Sequence, residues 1–145
     1  MPVAFGQLVG SVLDVYLAAA SSAGVTLRRE LTDAIVHGDP VLLNRMVVNL
    51  VQNAVKYNEP GGWVDVAVAP GTELVVSNSG PPVPPESVPA LFEPFRRLSS
   101  DRTDHRGGAG LGLSIVRSIV IAHGGTVRAE PGGSGGLVVQ VFLPG

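Results

Sequence analysis

A polar stripe on one predicted helix constrains this chain more than any other sequence feature. Apolar residues recur at helical spacing over about 40–58, which predicts an amphipathic helix. Within it, Asn49, Gln52, Asn53 and Lys56 stand at i, i+3, i+4 and i+7 and therefore share one face. Asn is a poor residue inside a helix. Two explanations stay open: a solvated face that tolerates Asn, or amide oxygens and an ammonium group that face a ligand such as Mg²⁺ with phosphate.

The other hydrophobic periodicities predict alternating helices and strands. Helices are predicted over 7–23, 40–58, 86–94 and from Leu111 to Gly124, and strands over 25–31, 34–37, 63–68, 73–78, 126–130 and 137–143. Thr32-Asp33 predicts a hairpin between the first two strands, and Pro70-Gly71 predicts another between the next two. This order predicts a two-layer α/β sandwich with a mixed sheet.

Composition narrows the classes of function. The 145 residues are enough for one domain, predicted over 1–145, and the net charge of -2 disfavours a nucleic-acid partner. The chain has no Cys, which excludes disulfides, Cys-ligated metals and thiol catalysis, and its three His are too scattered for a metal cluster. The apolar run over 3–25 has no preceding Lys or Arg and is interrupted by Asp14, so we expect a cytoplasmic domain without membrane contact.

Three further segments are each ambiguous when taken alone. The glycines of 107–112 precede a helix and either let the backbone approach an anion or form a flexible hinge. Their pattern is neither the Rossmann fingerprint nor the P-loop. Asn78-Ser-Gly-Pro follows a strand, where an Asx-type turn is the alternative to a functional site. Leu91-Phe-Glu-Pro-Phe-Arg-Arg is either a functional segment or a hydrophobic plug for the core.

In this order and spacing, the four segments resemble the four boxes of the ATP-binding catalytic domain of bacterial sensor histidine kinases. The same superfamily holds gyrase, the Hsp90 chaperone and MutL. The N box looks like 49–58, the first glycine box like 78–84, the phenylalanine box like 91–97 and the second glycine box like 108–116. The resemblance spans essentially the whole chain. It implies a Bergerat-type fold, in which about five strands pack on three helices.

The resemblance also implies roles for single residues. Asn53 would ligate Mg²⁺ bound to the triphosphate of ATP, and Asn49 would line the same site. Lys56 would contact phosphate and Tyr57 would lie along the adenine, while Arg97 would reach the γ-phosphate. Asn49, Lys56 and Arg97 are therefore the candidate catalytic residues.

Further contacts to the nucleotide follow from the two glycine boxes and the segment between them. Residues 96–109 would form a lid that closes over ATP. The implied contacts outside the helix of the N box are Asn78, Gly80, Gly108, Gly110, Leu111, Gly112 and Leu113.

Two positions depart from the family pattern. The family usually has Asp where this chain has Asn78, and the amide oxygen can still accept a hydrogen bond from the adenine amino group, but without the charge. Weaker nucleotide binding is expected, and from the sequence alone Asn78→Asp is expected to tighten it. Pro82 replaces the second Gly of the box, which removes a backbone donor and implies a different local turn.

The residues that are missing distinguish the possible reactions. None of His37, His105 and His123 has the context of a phosphoacceptor, and His123 fits better as a helix C-terminal residue that complements the dipole. We therefore expect a monomeric domain that phosphorylates a histidine on a dimerisation and phosphoacceptor segment, in cis or on another chain, with a response regulator downstream. An anti-sigma-type serine kinase and a clamp ATPase are the alternatives, but both typically place Glu at the position of Asn49. A nucleotide sensor without catalysis is a further alternative.

Overall fold

The computed structural model describes residues 1–71, 73–92, 112–133 and 135–144. Within these residues the chain has three α-helices and seven strands. In chain order they are β1 (Pro2–Ala4), α1 (Phe5–Ser22), β2 (Thr26–Leu31), β3 (Ile35–His37), α2 (Pro40–Lys56), β4 (Trp63–Ala69), β5 (Glu73–Asn78), α3 (Gly112–Ala122), β6 (Thr126–Pro131) and β7 (Leu137–Phe142). The described part of the chain has no helix that is both long and apolar enough to cross a membrane.

The main sheet has five strands in the order β2-β4-β5-β7-β6. The β2–β4 pair is parallel and the other three pairs are antiparallel, so the sheet is mixed. Alternate residues such as Val64, Val66 and Leu74 are fully buried on the face that the helices cover. The helix α2 contacts both α1 and α3 and is the middle helix of its layer. The predicted two-layer α/β sandwich is confirmed.

The predicted hairpin around Thr32 is wrong. β2 pairs with β4, and β3 pairs instead with β1 in a separate two-stranded sheet. The chain leaves the main sheet at Thr32, whose N–H and hydroxyl both donate to the Val68 carbonyl, at 3.1 and 2.7 Å. Val36 then packs in the core, fully buried. Burial of the apolar side of each strand decides the pairing, and a short polar linker cannot specify it.

The segment predicted as one short helix over 86–94 also differs. Within its described residues the chain forms two 3₁₀ turns, Pro85–Ser87 and Pro89–Phe92. Pro89 has no N–H to donate to the carbonyl four residues earlier, so the hydrogen bond that a continuous α-helix needs at this position cannot form.

The helix that carries the polar stripe begins as predicted. Asp39 is the N-cap, and one carboxylate oxygen accepts from the N–H groups of Val41 and Leu42 at 2.9 and 3.3 Å. Pro40 occupies the first helical position. The buried side of α2 is apolar, with Leu43, Val47 and their neighbours at helical spacing. This packing fixes the direction in which the polar stripe points.

Candidate functional site

The amide oxygens of Asn49 and Asn53 lie together at the start of α3. Both side chains are half-buried. The Asn49 Nδ2 donates to the Arg45 carbonyl at 2.7 Å, which fixes the direction of that amide. A Cβ placed on Gly112, the first residue of α3, would lie 3.9 Å from each of the two Oδ1 atoms. Asn49 and Asn53 therefore face the first residue of α3, and a helix N-terminus carries partial positive charge that favours anions.

This donor set fits a magnesium ion that is held mainly by phosphate. Amide oxygens are hard ligands, and protein-bound Mg²⁺ typically has only one or two protein ligands, with phosphates and waters completing an octahedron. Among residues 1–71, 73–92, 112–133 and 135–144, no three His, Asp or Glu are grouped so that they could hold a metal by themselves. Two amide oxygens would leave most of the coordination sphere of such an ion to phosphate and water.

The end of α2 forms a second part of the site. Lys56 lies in the last turn, and Tyr57 is the C-cap, with its N–H donating to the Asn53 carbonyl at 3.1 Å. Gly80 packs directly on this end, because a Cβ on Gly80 would lie 2.9 Å from the Tyr57 carbonyl oxygen. Gly80 has φ +151°, a conformation that L side chains rarely adopt. The first glycine box is therefore held against the helix of the N box.

Asn78 is the last residue of β5 and one of two buried polar residues in the described part of the chain, with 8% of its surface exposed. It lies between Val64 on β4 and Leu137 on β7. Its Nδ2 donates to the Ser79 carbonyl at 2.7 Å. The proposed adenine contact is thus a buried amide with apolar neighbours in the sheet.

Sequence reasoning assigned no role to the other buried polar residue, Asn58, which is 6% exposed. Its Nδ2 donates to the Trp63 carbonyl at 2.9 Å, and its Oδ1 accepts from the Ser79 hydroxyl at 2.8 Å. Ser79 Oγ also accepts from the Trp63 N–H at 2.8 Å. This group, Asn58, Trp63 and Ser79, is called the junction network below. The only sequence signal for it was an Asn just before the Pro-Gly-Gly break.

The glycine-rich turn between β6 and β7 also supports the first glycine box, which the sequence did not indicate. The Gly136 N–H donates to the Pro81 carbonyl at 3.0 Å. Gly136 has φ +75°, and a Cβ there would collide with the Asn78 carbonyl. This turn is therefore a packed support for the segment 78–81.

The structure brings together most of the described site residues. Asn49 and Asn53 face Gly112, while Gly80 lies beside both Tyr57 and Asn78. Lys56 lies on the same helix. Leu113 is buried in the core. Four predicted residues lie outside the described residues, as does the lid at 96–109: Arg97, Gly108, Gly110 and Leu111.

The structure describes two of the three histidines, His37 and His123. His37 is exposed on β3. The His123 Nε2 accepts from the Asp39 N–H at 3.1 Å, and its Nδ1 lies 2.8 Å from the Ile119 carbonyl, so Nδ1 is the ring donor. His123 thus joins the end of α3 to the start of α2. His105 lies outside the described residues.

Comparisons with known proteins give the relatives of this chain. Residues 38–145 match the family described as histidine kinase-, DNA gyrase B-, and HSP90-like ATPase. The sensor protein CutS of Streptomyces coelicolor is 50% identical over 147 aligned positions, which cover 99% of this chain but 36% of CutS. The chain thus spans about a third of the length of this curated relative.

Solved structures have the same fold. The mycobacterial sensor histidine kinase MprB superposes with a TM-score of 0.87 at 33% identity, covering 100% of this chain and 98% of that one. The nucleotide-free catalytic domain of the histidine kinase ThkA gives a TM-score of 0.85 at 27% identity, covering 99% and 94%. The architecture described above is therefore that of histidine kinase catalytic domains.

Proposed function

Because this chain belongs to the family of histidine kinase-, DNA gyrase B- and HSP90-like ATPases, we propose that it binds Mg-ATP and donates the γ-phosphate to a histidine. The acceptor histidine is carried by a dimerisation and phosphoacceptor segment, in cis or on another chain, in two-component signalling. A response regulator receives the phosphate downstream. The isolated domain is a monomer, and in the intact protein it lies on the cytoplasmic side.

The observation that carries this proposal is the position of Asn49 and Asn53 at the start of α3. Their oxygens and the helix N-terminus together provide a place for a metal-bound triphosphate. Bound Mg²⁺ would supply charge neutralisation at the phosphates. Lys56 contributes a positive charge from the same helix, and Arg97 is proposed to stabilise charge that develops during transfer.

The side chain at position 49 favours histidine as the acceptor. In the transfer, the lone pair of an imidazole nitrogen forms a bond to the γ-phosphorus while the bond to the ADP oxygen breaks, and ADP leaves with the electron pair. A neutral imidazole nitrogen needs no base to remove a proton before it attacks. An amide such as that of Asn49 cannot accept a proton at neutral pH. The protein therefore acts by positioning and by charge neutralisation.

Two other reactions are the alternatives to phosphorylation of a histidine. A serine kinase of the anti-sigma type, or a clamp ATPase, must activate a hydroxyl or a water and so needs a carboxylate near the γ-phosphate. This chain has Asn at the position where those classes typically have Glu. Asn49 thus favours the histidine kinase over both.

ATP that is labelled on its γ-phosphate distinguishes these three reactions. The chain, incubated with Mg-ATP and a polypeptide that carries a cognate phosphoacceptor hairpin, is expected to label the hairpin with acid-labile, alkali-stable phosphate. Alone, it is expected neither to label itself nor to hydrolyse ATP at a useful rate. Acid-stable label on Ser or Thr would instead favour the serine kinase, and rapid hydrolysis without a partner would favour the clamp ATPase.

A further inference from the structure

The imidazole of His123 joins α3 to α2 through hydrogen bonds at both ring nitrogens. Its Nε2 accepts from the N–H of Asp39, the N-cap of α2, at 3.1 Å. Its Nδ1 donates to the Ile119 carbonyl on α3 at 2.8 Å. With Nδ1 as the donor, the ring is neutral and Nε2 acts only as an acceptor. One orientation of the ring therefore satisfies both partners.

Gly38 provides the space for this ring. A Cβ on Gly38 would collide with the Cδ2 and Nε2 atoms of His123. The imidazole thus lies against the backbone of residue 38, beside the Asp39 N–H that it accepts from. A methyl group at position 38 would force the ring to move and would break this bond.

The two ends of α3 lie at different places along α2. Gly112, the first residue of α3, lies beside Asn49 and Asn53. His123 follows the last residue of α3 and lies beside Asp39 at the start of α2. The helices therefore run antiparallel, with one pair of ends joined by His123 and the proposed phosphate site further along α2. The eleven residues of α3 span about 16 Å, which separates the joint from the site.

The bond from His123 fixes α3 relative to α2 in a way that apolar packing does not. Val116 and Val120 hold α3 against the core, but burial of such side chains is non-directional. Packed helices can shift past each other by about 1–2 Å. The turn at 124–125 connects α3 to β6, whereas His123 connects it to the helix that carries Asn53. The junction network holds the other end of α2, so α2 is the fixed member of the pair.

We propose that His123 is a positioning residue for the phosphate site, because it sets the distance from the N-terminus of α3 to the amide oxygens of Asn49 and Asn53. It acts through α3 and does not touch the nucleotide. The inference rests on the proposed function, since it assumes that a metal-bound triphosphate lies between these groups. Loss of the Nε2 acceptor should therefore weaken binding of Mg-ATP and leave binding of adenosine, which has no phosphate, unchanged.

Two amide substitutions separate the roles of the ring nitrogens. His123→Gln keeps an oxygen near the position of Nε2 that can accept from the Asp39 N–H, whereas the shorter amide of His123→Asn can replace only Nδ1. Calorimetric titration is expected to show about fivefold weaker Mg-ATP binding in His123→Asn, the factor for roughly one hydrogen bond, and a change below about twofold in His123→Gln. Adenosine affinity should be the same in both variants and the unmodified chain.

Three outcomes of these titrations would overturn the inference. They are an unchanged Mg-ATP affinity in His123→Asn, equal losses in the two variants, and a loss of adenosine affinity as large as that of Mg-ATP. The last would show a general structural role. His37→Asn, at an exposed position on β3, is the matched control and should change neither affinity.

Gly38→Ala tests the joint from the side of α2, because its methyl group displaces the imidazole. Alone, it is expected to weaken Mg-ATP binding about as much as His123→Asn does. Added to His123→Ala, it should cause no further loss, since no ring is left to displace. Additive losses in the double variant would show that the two positions act independently and would contradict the inference.

Nuclear magnetic resonance tests the joint without any nucleotide. In ¹⁵N-labelled unmodified protein, the Asp39 amide nitrogen and the His123 Nε2 should show scalar coupling across their hydrogen bond, and absence of this coupling would overturn the inference. The Gly112 amide signal should shift in His123→Asn and not in His123→Gln, and an unshifted signal in His123→Asn would also overturn it. If both signals behave as expected but the unmodified chain binds no nucleotide, the proposed function is contradicted and the joint is not.

Discussion

The Ser79 hydroxyl donates a hydrogen bond of 2.8 Å to the Asn58 Oδ1, although the two residues are 21 positions apart in the sequence. Asn58 follows the end of α2 and Ser79 follows β5, so this bond ties the helix of the proposed metal site to the strand of the proposed base site. A nucleotide that spans both sites would contact two segments that this hydrogen bond connects.

Asn58→Ala is expected to lower the free energy of unfolding by about 2–3 kcal/mol, because it removes the hydrogen bonds that this buried side chain makes to three partners. These are the Trp63 carbonyl, the Glu59 N–H and the Ser79 hydroxyl. Urea unfolding followed by circular dichroism would measure the loss. Asn44→Ala, at an exposed position on α2, is the matched control and should change stability by about 0.5 kcal/mol or less. Equal effects of the two substitutions would contradict the structural role of Asn58.

Asn53→Ala is expected to remove most of the Mg²⁺-dependent part of ATP affinity and to leave the fold intact. The reason is that Asn53 Oδ1 is the proposed metal ligand and faces Gly112 rather than the core. Calorimetric titration with and without Mg²⁺ would measure the difference, with Asn44→Ala again as the control. The same Mg-ATP affinity in Asn53→Ala and the unmodified chain would refute the assignment.

Gly112→Ala is expected to separate binding from stability. Among the described residues, a Cβ here meets the two amide oxygens of Asn49 and Asn53 at 3.9 Å, which is ordinary contact, so we expect the fold to tolerate the methyl group. Ala also stabilises helices relative to Gly, by up to about 1 kcal/mol. The methyl group would occupy the space where we propose that phosphate and metal lie. Weaker Mg-ATP binding with unchanged or higher melting temperature is therefore expected, and unchanged binding would argue against that location.

Gly136→Ala is expected to destabilise the fold by about 2–4 kcal/mol, through a strained positive φ and a collision with the Asn78 carbonyl. Gly133→Ala in the same turn is the control, since a Cβ at Gly133 meets no atom of the described residues within 4 Å. Thermal unfolding of the two variants would compare them directly. A loss of stability in Gly133→Ala as large as in Gly136→Ala would show that the turn does not act as a support for the segment 78–81.

Much of this protein could be predicted from its sequence because the signals were local. Asp39 and Pro40 begin α2, the alternation from Trp63 gives β4, and Pro70-Gly71 gives the turn to β5. The spacing of Asn49 and Asn53 placed both amides on one helix face, since the helical repeat follows from backbone geometry alone. The boxes that indicated the family are likewise short runs of sequence, and the family match confirmed that family.

Only the tertiary structure decided which distant segments meet. β2 pairs with β4 rather than with β3, because burial of its apolar side depends on a strand more than thirty residues away. The Asn78 Nδ2 donates to the Ser79 carbonyl, and Ser79 itself is bonded to Asn58 and Trp63 through its hydroxyl and its N–H. The residue type at position 78 could be read from the sequence. The atom that it offers to a ligand follows from buried hydrogen bonds, whose partners come together only when the chain has folded.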